Sequence, residues 1–470
     1  MQELLKALSD CPLIASVQAA DDSPVQHPET LGRLALASLN QGVKVLRLQG
    51  AATIAHIRTQ TAAPIIGLIK RAYPDSEIYI TATTKEIEEV AEAGANIVAL
   101  DGTPRKRPNA ETLQDLIGLA HAKNLLVLAD IDSVESAKYA WQAGADMVST
   151  TLAGYTDAPS SKGPDLELLR QIVHLGPTFA EGRIAEPWQV QAALQIGATG
   201  VIVGGALNDA DKNTRRFLPS PTPTAPVGAV DIGGTWMRFG IFSPDWQLQH
   251  VERTPNPPDR KERIQWIKDR VKESKVGSLG VGTGGIVDPE TGLVWTAKEY
   301  LMPDHIGLTF DEKTFGVPTY AHGDGHATAW GHACLPEFAG KRVATLALGT
   351  GVGCGFVQQG KIWAGRRGEY PRINDLPAPG GKSYEDLLGG FHITREPSEE
   401  TKEHGRIALK GAVSALRDLY FPDEIIMAGT VGLSEWLREA VTEEGLKITP
   451  FGGDAGLYGA AALAIFREVR

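Results

Sequence analysis

Cysteine is almost absent. The chain has three in 470 residues, Cys11, Cys334 and Cys354, far apart and in no CxxC pair. That excludes a disulfide framework and a cysteine-based zinc site, and it favours a reducing, cytoplasmic setting. Long apolar runs are absent too. No uninterrupted stretch would span a bilayer, and the opening MQELLKALSD lacks the apolar core of a signal peptide. Positive charge is in deficit: 46 Lys and Arg face 57 Asp and Glu, for a net charge of -11. A nucleic-acid partner, which needs clustered positive charge, is therefore not expected. With 42% hydrophobic and 22% charged residues, the remainder is ordinary globular composition. The length exceeds what one core supports, so several domains are expected.

Proline is not scarce, and it clusters once. Residues 219–226 read PSPTPTAP, with no apolar period to pack into a neighbour. Proline and its restricted neighbours make this a semi-rigid spacer rather than a floppy one. The chain changes character across it, which predicts a first domain at 1–218, a linker at 219–226 and a second domain at 227–470.

Before the linker, apolar runs alternate eight times with helical patterns. The runs are Leu13–Gln18, Lys44–Gln49, Pro64–Lys70, Asn96–Gly102, Leu125–Ile131, Met147–Leu152, Thr178–Arg183 and Gly200–Gly205. Intervening helices stop at Gly94, Gly144 and Gly197, as glycine at a helix C-terminus predicts. Eight strand-helix repeats predict a (β/α)8 TIM barrel, with an open doubly wound sheet as the alternative. Polar residues collect at the strand ends where barrel enzymes place their chemistry: Gln18, Arg47, Lys70, Asp101, Asp130 and Glu181-Gly182-Arg183. Any one of them could be simply solvated; six at the same end point to a site. Lys70 and Glu181 end runs three and seven, on opposite sides of an eight-strand ring. A proton removed on one face of a substrate and returned on the other is epimerisation. Lysine serves as a base only if burial or a cation lowers its pKa, and Arg47, Arg71 and Arg183 are candidate cations. Turns after strands seven and eight, at Gly182-Arg183 and Gly204-Gly205, suit a phosphate.

These residues support a family resemblance. Ser16-Val17-Gln18-Ala19, Pro64 to Arg71, Asp75 to Thr81, Ala99-Leu100-Asp101, Arg105 to Pro108, Thr150 to Thr156 and Ala180 to Ile184 resemble the N-acetylmannosamine-6-phosphate 2-epimerases. The resemblance runs over about residues 1–218. It implies Lys70 and Glu181 as the catalytic proton-transfer pair. It also implies Gln18, Arg47 and Asp130 as substrate contacts, with Arg183, Gly204 and Gly205 towards the phosphate. One departure stands out. The family usually reads Gly-Ser-Ala-Ile-Thr-Arg after strand eight; here Gly204-Gly205-Ala206-Leu207-Asn208-Asp209 puts an acid where the arginine belongs. Arg183 with backbone N–H groups, or Lys212, would then meet the phosphate, or its affinity is weaker.

After the linker come glycine turns. Asp231-Ile232-Gly233-Gly234-Thr235 follows one apolar strand, Leu348-Gly349-Thr350-Gly351 another, and Met427-Ala428-Gly429-Thr430 a third. Such turns let backbone N–H groups approach phosphate oxygens. Bracketing two lobes, they resemble the actin-like (ribonuclease H-like) fold of the ROK sugar kinases. The resemblance implies ATP, with Mg2+, held by Asp231, Gly233, Gly234, Thr235, Gly349, Thr350, Gly351 and Gly429. It implies Asp324 as the catalytic base on the sugar 6-hydroxyl. It places Arg238, Gly284, Gly285, Glu369 and Glu385 on the sugar. The departures are larger here. Gly323-Asp324-Gly325-His326 stands where the family has Asn-Asp-Ala-Asn, so one sugar-contacting asparagine is gone. Glu369-Tyr370-Pro371-Arg372 replaces Glu-x-Gly-His, and the cysteine-rich zinc loop is reduced to Pro377–Tyr384. No structural zinc is expected, and His322, His326 and His332 show no cluster for another metal.

Two motif sets sharing one intermediate imply a bifunctional enzyme of sialic acid catabolism. It would phosphorylate N-acetylmannosamine at O6 and epimerise the product at C2 to N-acetylglucosamine 6-phosphate. Its partners would be amino sugars and their phosphates, in a homo-oligomer, with no membrane. An active epimerase fused to a non-catalytic sugar-binding or assembly module is the alternative. A repressor of the ROK family is a third reading, disfavoured by the barrel standing where a DNA-binding segment would be.

Overall fold

The computed structural model describes residues 1–156, 163–393 and 396–466. The chain divides into two compact units, Met1–Leu218 and Pro219–Arg470. Among the described residues, no helix is long and apolar enough to cross a membrane.

The first unit is a closed ring of eight strands. They are β1 Leu13–Val17, β2 Val45–Gln49, β3 Ile65–Leu68, β4 Ile97–Asp101, β5 Leu126–Asp130, β6 Met147–Ser149, β7 Thr178–Ala180 and β8 Gly200–Val203. Neighbours pair in parallel, and β1 closes on β8 through Leu13–Val201 and Ile14–Ile202. Such strands are buried on both faces, which is why they read as continuous apolar runs. Ile14, Val45, Ile66, Ile97, Leu128, Phe179 and Ile202 pack in the interior. The helix Gln2–Asp10 closes the ring's N-terminal end by adding Leu4 and Leu8 to that cluster. The outer helices begin at side-chain caps, such as Thr83 with Glu86 and Thr112 with Asp115. They stop where a residue must turn left-handed: Gly94 (φ 89°), Gly144 (φ 102°) and Gly197 (φ 115°).

All eight strands are shorter than the apolar runs that predict them, and in the third, sixth and seventh the chain leaves the ring two or three residues early. The run at Lys70 leaves the ring after Leu68, because Lys70 pairs instead with Ile80 of a returning arm. Thr81 donates its N–H back to Ile69 O at 2.8 Å, and Arg71 N–H bonds Tyr79 O at 2.9 Å. The sixth run turns into the 3-10 turn Thr150–Leu152. The seventh ends at Ala180, one residue before Glu181.

The second unit repeats one topology twice. The first sheet has the order β11-β10-β9-β12-β15, from β9 Val227–Ile232, β10 Trp236–Phe242, β11 Leu248–Pro255, β12 Ser278–Thr283 and β15 Thr319–Gly323. A small ribbon, β13 Ile286–Val287 with β14 Val294–Thr296, sits within it in sequence. The second sheet has the order β18-β17-β16-β19-β20, from β16 Val343–Leu348, β17 Val352–Gln358, β18 Lys361–Ile362, β19 Glu424–Ala428 and β20 Lys447–Ile448. In both, the first two strands are antiparallel and the fourth and fifth run parallel to the first. This is the actin-like duplication, and it puts Gly233-Gly234-Thr235 and Gly349-Thr350-Gly351 in equivalent hairpin turns.

Two helices, Asp324–Ala333 and Ala455–Ile465, cross by backbone contact. A Cβ on Gly459 would lie 2.3 Å from Ala327 O, and one on Gly331 would lie 2.8 Å from Gly459 Cα. The second helix is apolar almost all round, as a fully buried helix must be. This close crossing holds Asp324 at the head of its helix. Gly459→Ala is therefore expected to destabilise the second unit by about 1–3 kcal/mol. Gly118→Ala, at an exposed position of the helix Leu113–Ala122 with nothing within 4 Å, should stabilise the first by about 0.5–1 kcal/mol. Denaturant midpoints of the two variants check both signs.

Candidate active sites

The barrel carries a cavity of about 370 Å³, lined by Gln18, Arg47, Lys70, Tyr79, Thr151, Tyr155, Glu181, Arg183, Gly204, Gly205, Asp209 and Lys212 among others. Arg47, from β2, is 1% exposed. Its guanidinium forks onto Asp130, from β5, at 3.1 and 2.6 Å. It also reaches Glu181 at 3.2 Å. Asp130 is fully buried beneath the lining rather than on it. Thr151 hydroxyl sits between the two acids, 2.6 Å from Asp130 and 2.9 Å from Glu181.

Lys70 stands in the cavity with its Nζ donating to Gln18 Oε1 at 2.7 Å. Burial lowers its pKa, and the Arg47 charge lowers it further. Of the candidate cations, Arg47 alone acts on it. Arg71 turns away to Glu86 and Glu89, and Arg183 bonds Gly163 O at 2.9 Å with its guanidinium over the Tyr155 ring. Glu181 moves the other way. Burial pushes its carboxyl up, Arg47 opposes this, and the Asp130 charge adds to the rise. A lysine biased towards neutral and a glutamate biased towards its acid form therefore share one cavity. Asp101 is not part of it: Thr103 and Arg105 hold its carboxylate.

The acid that replaces the family's arginine has a local role. Asp209 caps the helix Ala210–Phe217 by accepting the Lys212 N–H at 2.8 Å. Lys212 then reaches back, its Nζ 3.3 Å from where a Gly205 Cβ would stand.

The second unit carries a cavity of about 510 Å³. Asp231, Gly233, Gly234, Gly349, Thr350, Gly351 and Gly429 line it, together with Gly284, Gly285, Asp324, Tyr370, Asn374 and Glu385. Thr235 hydroxyl contacts Thr350 hydroxyl at 3.1 Å. Gly429 (φ 85°) admits no side chain, since a Cβ would lie 2.3 Å from Leu348 O. Gly285 (φ 98°) is closed likewise by Thr296 O at 2.3 Å. Burial pushes the Asp324 carboxyl up to about 6, helped by the Asp231 and Glu385 charges.

Of the other two predicted sugar contacts, Arg238 lines this cavity and Glu369 does not. Arg238 is engaged by Asp231, Asp454 and Gly453 O, beside the start of the last helix. Glu369 is exposed and outside the lining; its carboxylate accepts the Arg367 N–H at 2.7 Å and closes a turn. Residues with no motif of their own take part instead. Lys298 bridges Glu385 at 3.3 Å and Asp375 at 3.2 Å. Arg372, at the zinc-histidine position, pairs with Asp375. Among the described residues, no three His, Cys, Asp or Glu side chains converge as metal ligands.

The profile of the N-acetylmannosamine-6-phosphate epimerase family matches residues 31–220, and that of the ROK family matches residues 227–374. An N-acetylmannosamine-6-phosphate 2-epimerase of Clostridium perfringens is 44% identical over 208 residues, 44% of this chain and 94% of its own. The first half belongs to the epimerase family, and the second carries a ROK domain match over residues 227–374. The bifunctional enzyme NanE/NanK of Brucella melitensis is 29% identical over 506 residues, 96% of both chains. A ROK-family glucokinase of Streptomyces griseus, solved with glucose and AMPPNP, is 19% identical over 51% of this chain and 98% of its own, with a TM-score of 0.41.

In this ROK unit the deprotonated Asp324 is the form able to accept a proton. The rate of sugar phosphorylation is thus expected to fall about tenfold per pH unit below about 6 and to level off above it. An acid limb near 4, where a free aspartate titrates, would contradict the desolvated position of this carboxyl.

Proposed function

We propose that the chain performs two consecutive reactions. The ROK unit transfers the γ-phosphoryl group of ATP to O6 of N-acetylmannosamine. The barrel inverts C2 of the resulting 6-phosphate, giving N-acetylglucosamine 6-phosphate. The observation that carries this is the pairing of both families in one chain, matched end to end by a bifunctional enzyme, with a lysine and a glutamate shifted in opposite directions inside the barrel cavity.

In the barrel, neutral Lys70 takes the C2 proton of the open-chain sugar. The electron pair moves into the C1–C2 bond and onto the carbonyl oxygen. Protonated Glu181 returns a proton to C2 from the opposite face, and the carbonyl re-forms. The reverse direction exchanges their roles. Arg47, held rigid by Asp130, offers charge to the enolate at little reorganisation. Lys212 and Arg183, with the Gly204-Gly205 turn, meet the phosphate.

In the ROK unit, Asp324 accepts the proton of the 6-hydroxyl while O6 attacks the γ-phosphorus and the bond to the ADP oxygen breaks. The glycine turns suit phosphates: Gly349 has open space where a Cβ would be, and Thr350 adds a hydroxyl. Magnesium entering with ATP would neutralise the charge on the transferring group, near Asp231.

A second reading, a sugar-binding module without catalysis, is favoured by the exposed position of Glu369. ADP release dependent on N-acetylmannosamine, lost in Asp324→Ala, decides between the two. Lys70→Ala and Glu181→Ala should each abolish exchange of the C2 hydrogen with solvent deuterium while phosphorylation continues. Normal exchange in either variant would refute the proton-transfer pair. Lys212→Ala should raise KM for the sugar phosphate about tenfold or more, as for a charged hydrogen bond, with turnover little changed.

A further inference from the structure

Asn374 belongs to no motif and is used by neither reaction above. It sits in the short turn Ile373–Asp375, 3% exposed, on the lining of the second cavity. Its Nδ2 donates to Asp375 Oδ1 at 3.1 Å. That bond sets the amide's orientation, because only the NH2 end can face a carboxylate. The other end, Oδ1, is buried and has no hydrogen-bond partner among the described residues. Burying a carbonyl unpaired is unfavourable, so such an atom calls for a partner that arrives with the ligand.

Its setting is built. Asp375 is clamped by Lys298 and Arg372, and Lys298 also reaches Glu385. Asn374, Asp324 and Glu385 line the same cavity. The position of the family's asparagine, Gly323, is closed to a side chain. A Cβ there would lie 2.9 Å from Gly285 O, with the Tyr370 ring at 4.0 Å.

We infer that Asn374 Oδ1 accepts a hydrogen bond from the sugar and determines specificity for the phosphoryl acceptor, taking the part of the asparagine that the family carries at the Gly323 position. The donor is a hydroxyl or the acetamido N–H of a hexose-type acceptor. This inference rests on the ROK unit binding an amino sugar, as proposed above.

Asn374→Leu keeps the branched shape and removes the acceptor, together with the donor to Asp375. Its kcat/KM for N-acetylmannosamine should fall about ten- to hundredfold, while KM for ATP stays within about twofold. A comparable loss on mannose assigns the bond to a hydroxyl; a loss confined to the N-acetyl sugar assigns it to the amide N–H. Unchanged sugar kinetics in a variant with a normal melting midpoint would overturn the inference. Should Asn374→Leu fail to fold, the smaller polar Asn374→Ser is read the same way. If wild type phosphorylates no sugar, the kinase reading fails on its own. Calorimetric binding of N-acetylmannosamine to wild type and variant then decides, and equal binding, or none to either, overturns the role of Asn374.

Discussion

The Arg47 guanidinium is almost fully buried and is answered by two carboxylates, Asp130 through a fork and Glu181 at 3.2 Å. Removing a charge from water is expensive unless geometry and hydrogen bonds compensate it. Here they do, with Thr151 filling the space between the acids. Burial and the Asp130 charge leave Glu181 disposed to keep a proton, against the pull of Arg47. The same cation disposes Lys70 to lose one. Acid and base thus arise from burial in one cavity, with Arg47 adding to the shift of Lys70 and Asp130 adding to that of Glu181.

The ROK unit meets the same problem without a fixed cation beside its base. Asp324 is half-buried at the cavity wall, where desolvation and the Asp231 and Glu385 charges raise its pKa. The compensating charges stand one step out, as Arg238 on Asp231 and Lys298 on Glu385. Lys298, Asp375 and Arg372 also tie down the loop that carries Glu385. Close backbone approach does the rest: glycines at 325, 331, 355 and 459 seat the Asp324 helix where any side chain would collide.

Much of this was legible in the residues. Parallel barrel strands are buried on both faces, so all eight appeared as apolar runs, and the glycine stops at 94, 144 and 197 fall where the helices end. Strand ends were less legible: Lys70 reads as part of an apolar run, yet it pairs with the returning arm at Ile80. Local motifs led to Lys70, Glu181 and Asp324. They did not reveal Lys298, Tyr370 or Asn374, because those residues meet the cavity only after distant segments fold together. The role of Asp209 was hidden for a different reason. A helix cap depends on the backbone N–H it faces, and that is not visible in a residue's identity. Glu369 shows the converse, a motif residue whose local turn captures it before it reaches the cavity.

Phosphorylation is expected to precede epimerisation, with both on this chain. The most direct test incubates the full chain with N-acetylmannosamine in D2O and follows C2 by proton NMR, first without and then with MgATP. The account predicts no exchange before ATP, then N-acetylglucosamine 6-phosphate carrying deuterium at C2. Exchange of the unphosphorylated sugar without ATP, or accumulation of N-acetylmannosamine 6-phosphate with its C2 hydrogen retained, would contradict it.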